Sequence, residues 1–573
     1  MFDCLIRGAR IVDGTGAPAF TGDVAISEGR IAAVGTVSGQ ARRTIAADGL
    51  TLTPGFIDLH THYDGQASWD SALAPTSLNG VTTIAMGNCG VGFAPARADM
   101  HDMLIALLEG VEDIPGTALA EGLTWDWESF PDYLDALGRR HFSMDVAAHL
   151  PHAALRTYVM GERGADHKAH PTEAEAATMA SLVREGLRAG ALGFSTSRTF
   201  VHRSRSGENI GTLEAGEAEL LAIAGALKAE GKGVIQLISD AYLTPDDAFA
   251  SAELALIREM ARASGRPLSF TVQQTDEAPD RYRHIFGEVR AMVAQGLDVK
   301  AQVAPRPIGV VLGLGATLNP FLFTPAFRPL LHASLAERVA AFRDPAFRAR
   351  VVEDHKAAPP PGFGTLIARG FSRMFRVSDP VDYEPSADRS VEAEAAARGL
   401  APAEYLLDLL LEEEGRRLLY LPLVNYARQS LDDVHAMLTA PNTLFGLSDG
   451  GAHCGTICDA SFPTSTLAIW RRGNKSGKAI PMEALVHGLT QRNALHVGWH
   501  DRGVIAPGLR ADLNLLDPEA LALPPPEMVH DLPAGGGRLL QFPRGFHLTM
   551  CAGVVTHEGG RPTGALPGRL IRA

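Results

Sequence analysis

Residues 54–64, PGFIDLHTHYD, place an apolar run directly before His60 and His62. Side chains at i and i+2 of a strand project to the same face. In a strand of a parallel barrel, both imidazoles would point inward at the C-terminal mouth, where barrel active sites lie. Imidazole is a zinc donor, and a third ligand from a thiolate or carboxylate would complete a usable site. A His-x-His pair also occurs as two ordinary polar residues at a strand end, so its meaning depends on the surrounding chain.

Upstream, DCLIRGARIVDG (3–14) alternates apolar and polar residues, and GDVAISEGRIAAVG (22–35) reads as a hairpin turning at Glu28-Gly29. At the other end, GVIAPGLRADLNLLDP (503–518) and HLTMCAGVVTHEGG (547–560) have the same character. Two β-rich ends around a long middle imply one small sheet domain built from residues 1–54 and 501–573. The middle, 55–500, alternates strands with helices. After the His60 strand come GVTTIAMGNCG (80–90), SMDVAAHLPH (143–152), ALGFSTSRT (191–199), GVIQLISD (233–240), PLSFTVQQ (267–274), DVKAQVAP (298–305) and TLFGLSDGGAH (443–453). Eight such units predict a parallel (β/α)₈ barrel of the TIM type, an α/β fold, rather than a doubly wound sheet. One helix is legible in detail: Thr172 caps it, Glu175 completes a capping box, and Met179, Leu182, Val183 and Leu187 form one face up to Gly190. Residues 307–440 break the alternation and read as a helical insertion before the eighth strand. It follows the seventh strand, so it should cover the mouth.

Composition narrows the function classes. The chain has 573 residues, 46% hydrophobic and 21% charged, enough to bury a large core. Acidic side chains (66) exceed basic ones (52), a net charge of −14, which disfavours nucleic acid and anionic membranes as partners. No run of about 20 apolar residues predicts a membrane span. The N-terminus does not read as a signal peptide. Five cysteines, Cys4, Cys89, Cys454, Cys458 and Cys551, fit a reducing cytoplasm in which Cys89 can serve as a thiolate. Cys454 and Cys458 lack a matching second pair and read as structural.

Taken together, IVDGTGAPAFTGDVAISEGRIAAVG, LTPGFIDLHTHYD, GVTTIAMGNCGVGFAP, GALGFSTS, GLSDG and DRGVIAPGLRADLNLLDP make the chain resemble the amidohydrolase superfamily, in its D-aminoacylase (N-acyl-D-amino-acid deacylase) branch. The resemblance runs almost end to end. It implies a metal-binding barrel with a terminal β-sandwich, hydrolysis of an amide bond in a small-molecule substrate, and a metal set of His60, His62, Cys89 and Asp449. Asp449 would also be the general base, since a metal-activated water needs a proton acceptor. Two positions depart from the pattern. Gln236 stands where the family's second zinc expects a histidine, and Val272 or Gln273 stands near the other. Neutral amides are poor zinc ligands, so the pattern implies one divalent ion per chain, zinc by donor type. The family's arginine after the last barrel strand is replaced by DGGAHCG (449–455). The same site on an ester, lactone, cyclic amide or carbon–carbon bond, and a metal-depleted ligand-binding relative, are the alternatives. A homo-oligomer is compatible with the sequence.

His152, Arg198, His202, Arg203 and His453 are further candidates for substrate contact. The arginines suit an anionic group, although each also reads as an ordinary core or loop residue.

Overall fold

The computed structural model describes residues 1–573. Its centre is a sheet of eight parallel strands in consecutive order: Phe56–Asp58, Val81–Met86, Asp145–Pro151, Gly193–Arg198, Val234–Ser239, Leu268–Thr271, Val299–Val303 and Thr443–Phe445. The first and eighth strands meet through the residues just beyond them. His62 N donates to Gly450 O at 2.7 Å, and Asp449 N donates to His60 O at 3.2 Å. Closure of the barrel therefore runs through the His-x-His segment itself. Ile57, Leu59, Ala85, Ala147, Leu192, Val234 and Leu444, from six strands or their ends, form one buried cluster with Ala494 and Trp499. Side chains from so many strands meet only in a filled lumen.

The helix Glu173–Ala189 has the expected Thr172–Glu175 capping box and the left-handed Gly190 at its end. Its buried face includes Met179, Val183 and Leu187, each burial contributing about 1.5–3 kcal/mol.

Both termini build one nine-stranded sheet. The join is antiparallel, Thr51–Pro54 against Leu513–Leu516. The hairpin Phe20–Ser27/Arg30–Gly35 turns at Glu28 and Gly29, both at positive φ (52° and 73°), the conformation that matches strand twist. Residues 518–545, expected within the terminal sheet, instead leave it after Leu516. Their hairpin, Glu527–Val529 with Arg538–Leu540, lies against the loop after the eighth barrel strand, where Leu539 N donates to Cys454 O at 2.7 Å.

The insertion differs from a purely helical reading. Helices Leu335–Arg343, Pro345–Asp354, Phe363–Arg369, Val391–Ala397 and Pro402–Gly415 are joined by a three-stranded antiparallel sheet, Ile308–Leu312, Leu419–Val424 and Phe375–Arg376. The central strand, Leu419–Val424, pairs with strands that precede it by about a hundred and about forty residues, pairings that local patterning does not reveal. A separate core containing Val310, Phe321, Phe342, Leu406 and Leu421 holds the insertion together. Helix Asp432–Leu438 belongs to the barrel instead, because Val434, Met437 and Leu438 pack into the main core. Val311 N donates to Thr456 O at 2.7 Å, tying the insertion to the loop after the eighth strand. No helix is long and apolar enough to cross a membrane.

Candidate functional site

The ligand atoms of His60, His62 and Cys89 lie within 4.8 Å of one another, all buried. His60 Nε2 is 3.2 Å from Cys89 Sγ and 3.3 Å from Asp449 Oδ1, and His62 Nε2 is 3.6 Å from the same oxygen. Four residues from three strand ends thus converge on one point. Asp449 differs from the two histidines in access: its side chain is 22% exposed against 2% and 3%.

Unusual backbone aims these groups. Cys89 has φ 54°, in a turn flanked by Gly87 and Gly90. A Cβ on Gly90 would stand 2.7 Å from Thr196 Cα, so only glycine fits there. Asn88 Nδ2 donates to Thr61 O (3.1 Å) and Ala85 O (2.9 Å), locking the turn to the His-x-His segment. In the loop after the eighth strand, Leu447, Asp449 and His453 all have positive φ, at 64°, 46° and 51°. Non-glycine residues in that region carry strain, and such strain clusters at functional sites.

A further shell orients the imidazoles. His60 Nδ1–H donates to Gln302 Oε1 at 2.7 Å, and Gln302 Nε2 in turn donates to Ser269 Oγ at 3.0 Å. With its proton on Nδ1, His60 presents the Nε2 lone pair to the site. His62 Nδ1 faces Glu112 Oε1 at 3.2 Å. Burial pushes His60 down to about 4, opposed by Asp449, and His62 down to about 3, so both rings are neutral donors at neutral pH. Burial also pushes the Cys89 thiol well up, reinforced by Glu112 and Asp449. A thiolate there needs a cation beside it. Two neutral imidazoles, a thiol and a carboxylate, with both Nε2 atoms turned inward, fit a borderline-soft divalent ion such as zinc.

The amides at the fifth and sixth strands have other work. Gln236 Oε1 accepts from Cys89 N at 2.8 Å, and Gln273 Oε1 accepts from Asn425 Nδ2.

Of the other sequence candidates, His453 shares a cavity with Asp449, and His202 lies within electrostatic range of His60 and His62. His202 Nδ1 is 2.9 Å from Ser197 Oγ, and loss of hydration pushes it down to about 3, aided by His62, His453 and His60. His453 lines a cavity with Asp449, Gln66 and Arg538. Three candidates are engaged elsewhere. His152 is fully buried between Thr196 Oγ1 (2.8 Å) and Glu219 Oε1 (3.0 Å). Arg198 grips Glu253 through Nε and Nη2. Arg203 is exposed and closes its own loop onto Gly207 O. All five cysteines are free and buried.

Sequence reading missed Gln302, Glu112 and Tyr242. Gln302 had a signal, as an amide side chain near the C-terminal end of a barrel strand. Tyr242 follows the fifth strand, and its phenol is pushed up by burial and then by Asp240, Cys89 and Asp449, which places it in the field of the site.

The amidohydrolase family model matches residues 43–557. An uncharacterized protein of Mycobacterium tuberculosis is 29% identical over 542 residues, covering 91% of this chain and 85% of that protein. The D-aminoacylase of Alcaligenes xylosoxydans xylosoxydans is 34% identical over 206 residues, 36% of this chain and 40% of that enzyme. Among solved structures, a D-aminoacylase superposes with a TM-score of 0.66 at 24% identity, each chain covered completely. An N-acyl-D-glutamate deacylase from Bordetella bronchiseptica, solved with zinc and a phosphonate inhibitor, gives 0.64 at 22%, again over both complete chains. The family match spans most of the chain and includes every residue of the converging site, so this chain is a member of the amidohydrolase family.

Proposed function

We propose that the chain hydrolyses a small-molecule amide, with N-acyl amino acids of the D series as the first class, using one divalent ion held by His60, His62, Cys89 and Asp449. The observation that carries this reading is the buried convergence of His60, His62 and Cys89 beside the more open Asp449. The names of the relatives, D-aminoacylase and N-acyl-D-glutamate deacylase, supply the substrate class. One ion rather than two agrees with Gln236 and Gln273 spending their carbonyl oxygens on protein hydrogen bonds.

When bound, a divalent ion supplies Lewis acidity toward the acyl oxygen and acidifies a water. Asp449 accepts the proton of the attacking water as the new carbon–oxygen bond forms. It then delivers that proton to the leaving nitrogen as the carbon–nitrogen bond breaks, releasing a carboxylic acid and an amine. Gln302 keeps the His60 proton on Nδ1 throughout.

A second reading keeps the site and changes the leaving group to one without a carboxylate. Three arginines near the mouth, which would otherwise recognise a carboxylate, are each paired internally. Arg198 holds Glu253, Arg306 holds Asp459 and Arg538 holds Asp531. Elemental analysis of purified protein, combined with turnover on N-acyl-D- and N-acyl-L-amino acids, neutral amides, cyclic amides and lactones, tests both readings. Two tightly held ions per chain would remove the single-ion proposal. Turnover confined to neutral amides or lactones would move the substrate class to the second reading.

A further inference from the structure

Glu112 ends the helix His101–Glu112, and Asp113 caps it in the left-handed conformation at φ 49°. The last turn contains no basic residue. Acids at this end face the negative pole of the helix dipole, and Glu112 is 2% exposed with no lysine or arginine paired to it. Burying an uncompensated carboxylate costs stability, so the residue calls for another reason to be there. Its Oε1 lies 3.2 Å from His62 Nδ1, an ion-pair approach not aligned as a hydrogen bond, and neither atom has any other partner. Its main-chain oxygen accepts from His453 N, and Asp113 Oδ2 accepts from Thr456 Oγ1 at 2.8 Å. The end of this helix therefore touches both the His-x-His segment and the loop carrying Asp449.

We propose that Glu112 is a positioning residue: its carboxylate holds the His62 proton on Nδ1 and so presents the Nε2 lone pair to a divalent ion. This rests on the metal-site reading above. Gln302 does the same for His60 with a neutral amide oxygen. The carboxylate would also supply negative charge just behind the ion. The buried carboxyl group thus serves metal binding at the expense of the metal-free fold.

The test compares wild type, Glu112→Gln and Glu112→Leu. Zinc affinity is measured by competition with a chromophoric chelator, and Tm is measured on the metal-free proteins. Loss of such a partner typically weakens metal affinity 10–100-fold. Glu112→Leu should show that loss and Glu112→Gln a smaller one, while the metal-free Tm of either variant equals or exceeds that of wild type. Unchanged zinc affinity in both variants overturns the proposal. So does a metal-free Tm that falls in both, which marks a purely structural residue. If Glu112→Leu does not fold, Glu112→Gln decides alone, because its shape is unchanged and weaker zinc binding without a lower Tm is still required. A wild type that binds no zinc overturns the metal-site reading itself, an outcome distinct from a wild type that binds zinc as weakly as its variants.

Discussion

Replacing Asp449 by Asn separates the proton-transfer role from the fold. The residue sits at φ 46°, where asparagine is tolerated at least as well as aspartate. Its main-chain N–H is bonded to His60 O, a contact that the substitution keeps. The unfolding free energy of the metal-free protein should therefore stay within about 0.5 kcal/mol of wild type, the range of changes that break no specific interaction. The amide cannot take a proton from water at neutral pH. General acid–base assistance typically contributes 10²–10⁴-fold, or about 2.7–5.5 kcal/mol of barrier at 1.36 kcal/mol per decade. The loss should fall on kcat and on kcat/KM together, the signature of an interaction made only in the transition state. Some metal affinity goes too, because Oδ1 lies 3.3 Å and 3.6 Å from the two Nε2 atoms, so steady-state assays need saturating zinc and a measured metal content. Asp449→Ala should lose Tm as well, because alanine adopts positive φ less readily. Near-wild-type kcat in Asp449→Asn with metal bound would refute the general-base assignment.

Gln302→Leu removes the acceptor that fixes His60 Nδ1, so zinc affinity should fall 10–100-fold; unchanged competition curves would show that the tautomer is set by other groups. Arg306 is 1% exposed and donates to Asp459, Cys458 O and Ser461 while lying 3.8 Å from the Tyr383 ring centroid. Arg306→Met strands the buried Asp459 carboxylate and should cost about 3–5 kcal/mol in urea unfolding, and a loss below about 1 kcal/mol would deny the clamp. Burial alone would raise Glu219, but His152 and Arg156 hold it down to about 2 from an ordinary 4.5. A depressed carboxylate stabilises above its unfolded pKa and loses that contribution as pH falls through the folded one. Glu219 should thus contribute about 3 kcal/mol at neutral pH, lost between about pH 4.5 and 2. Glu219→Gln should flatten that limb of stability against pH, and an equally steep acid loss in the variant would count against the network.

Legibility followed the range of the interactions involved. The helix ending at Gly190 was readable because its caps and its face are local, within three or four residues of each other. Arg198 shows where local reading stops. A loop arginine near a predicted mouth looks like a substrate contact, yet its partner Glu253 lies on a helix 55 residues away. His152 fails for the same reason, its partner Glu219 being 67 residues on.

The sequence alone determined the barrel and the terminal sheet, because strand period and glycine turns are properties of short segments, and its family resemblance named candidate donors. Only the tertiary structure brings those candidates to one point. Cys89 is 29 residues from His60, and Asp449 is nearly four hundred away. Both arrive through positive-φ turns that depend on barrel closure. Gln302 and Glu112 acquire a specific partner only in the fold, where they face His60 and His62, because an amide in a strand or an acid at a helix end does not reveal its partner locally.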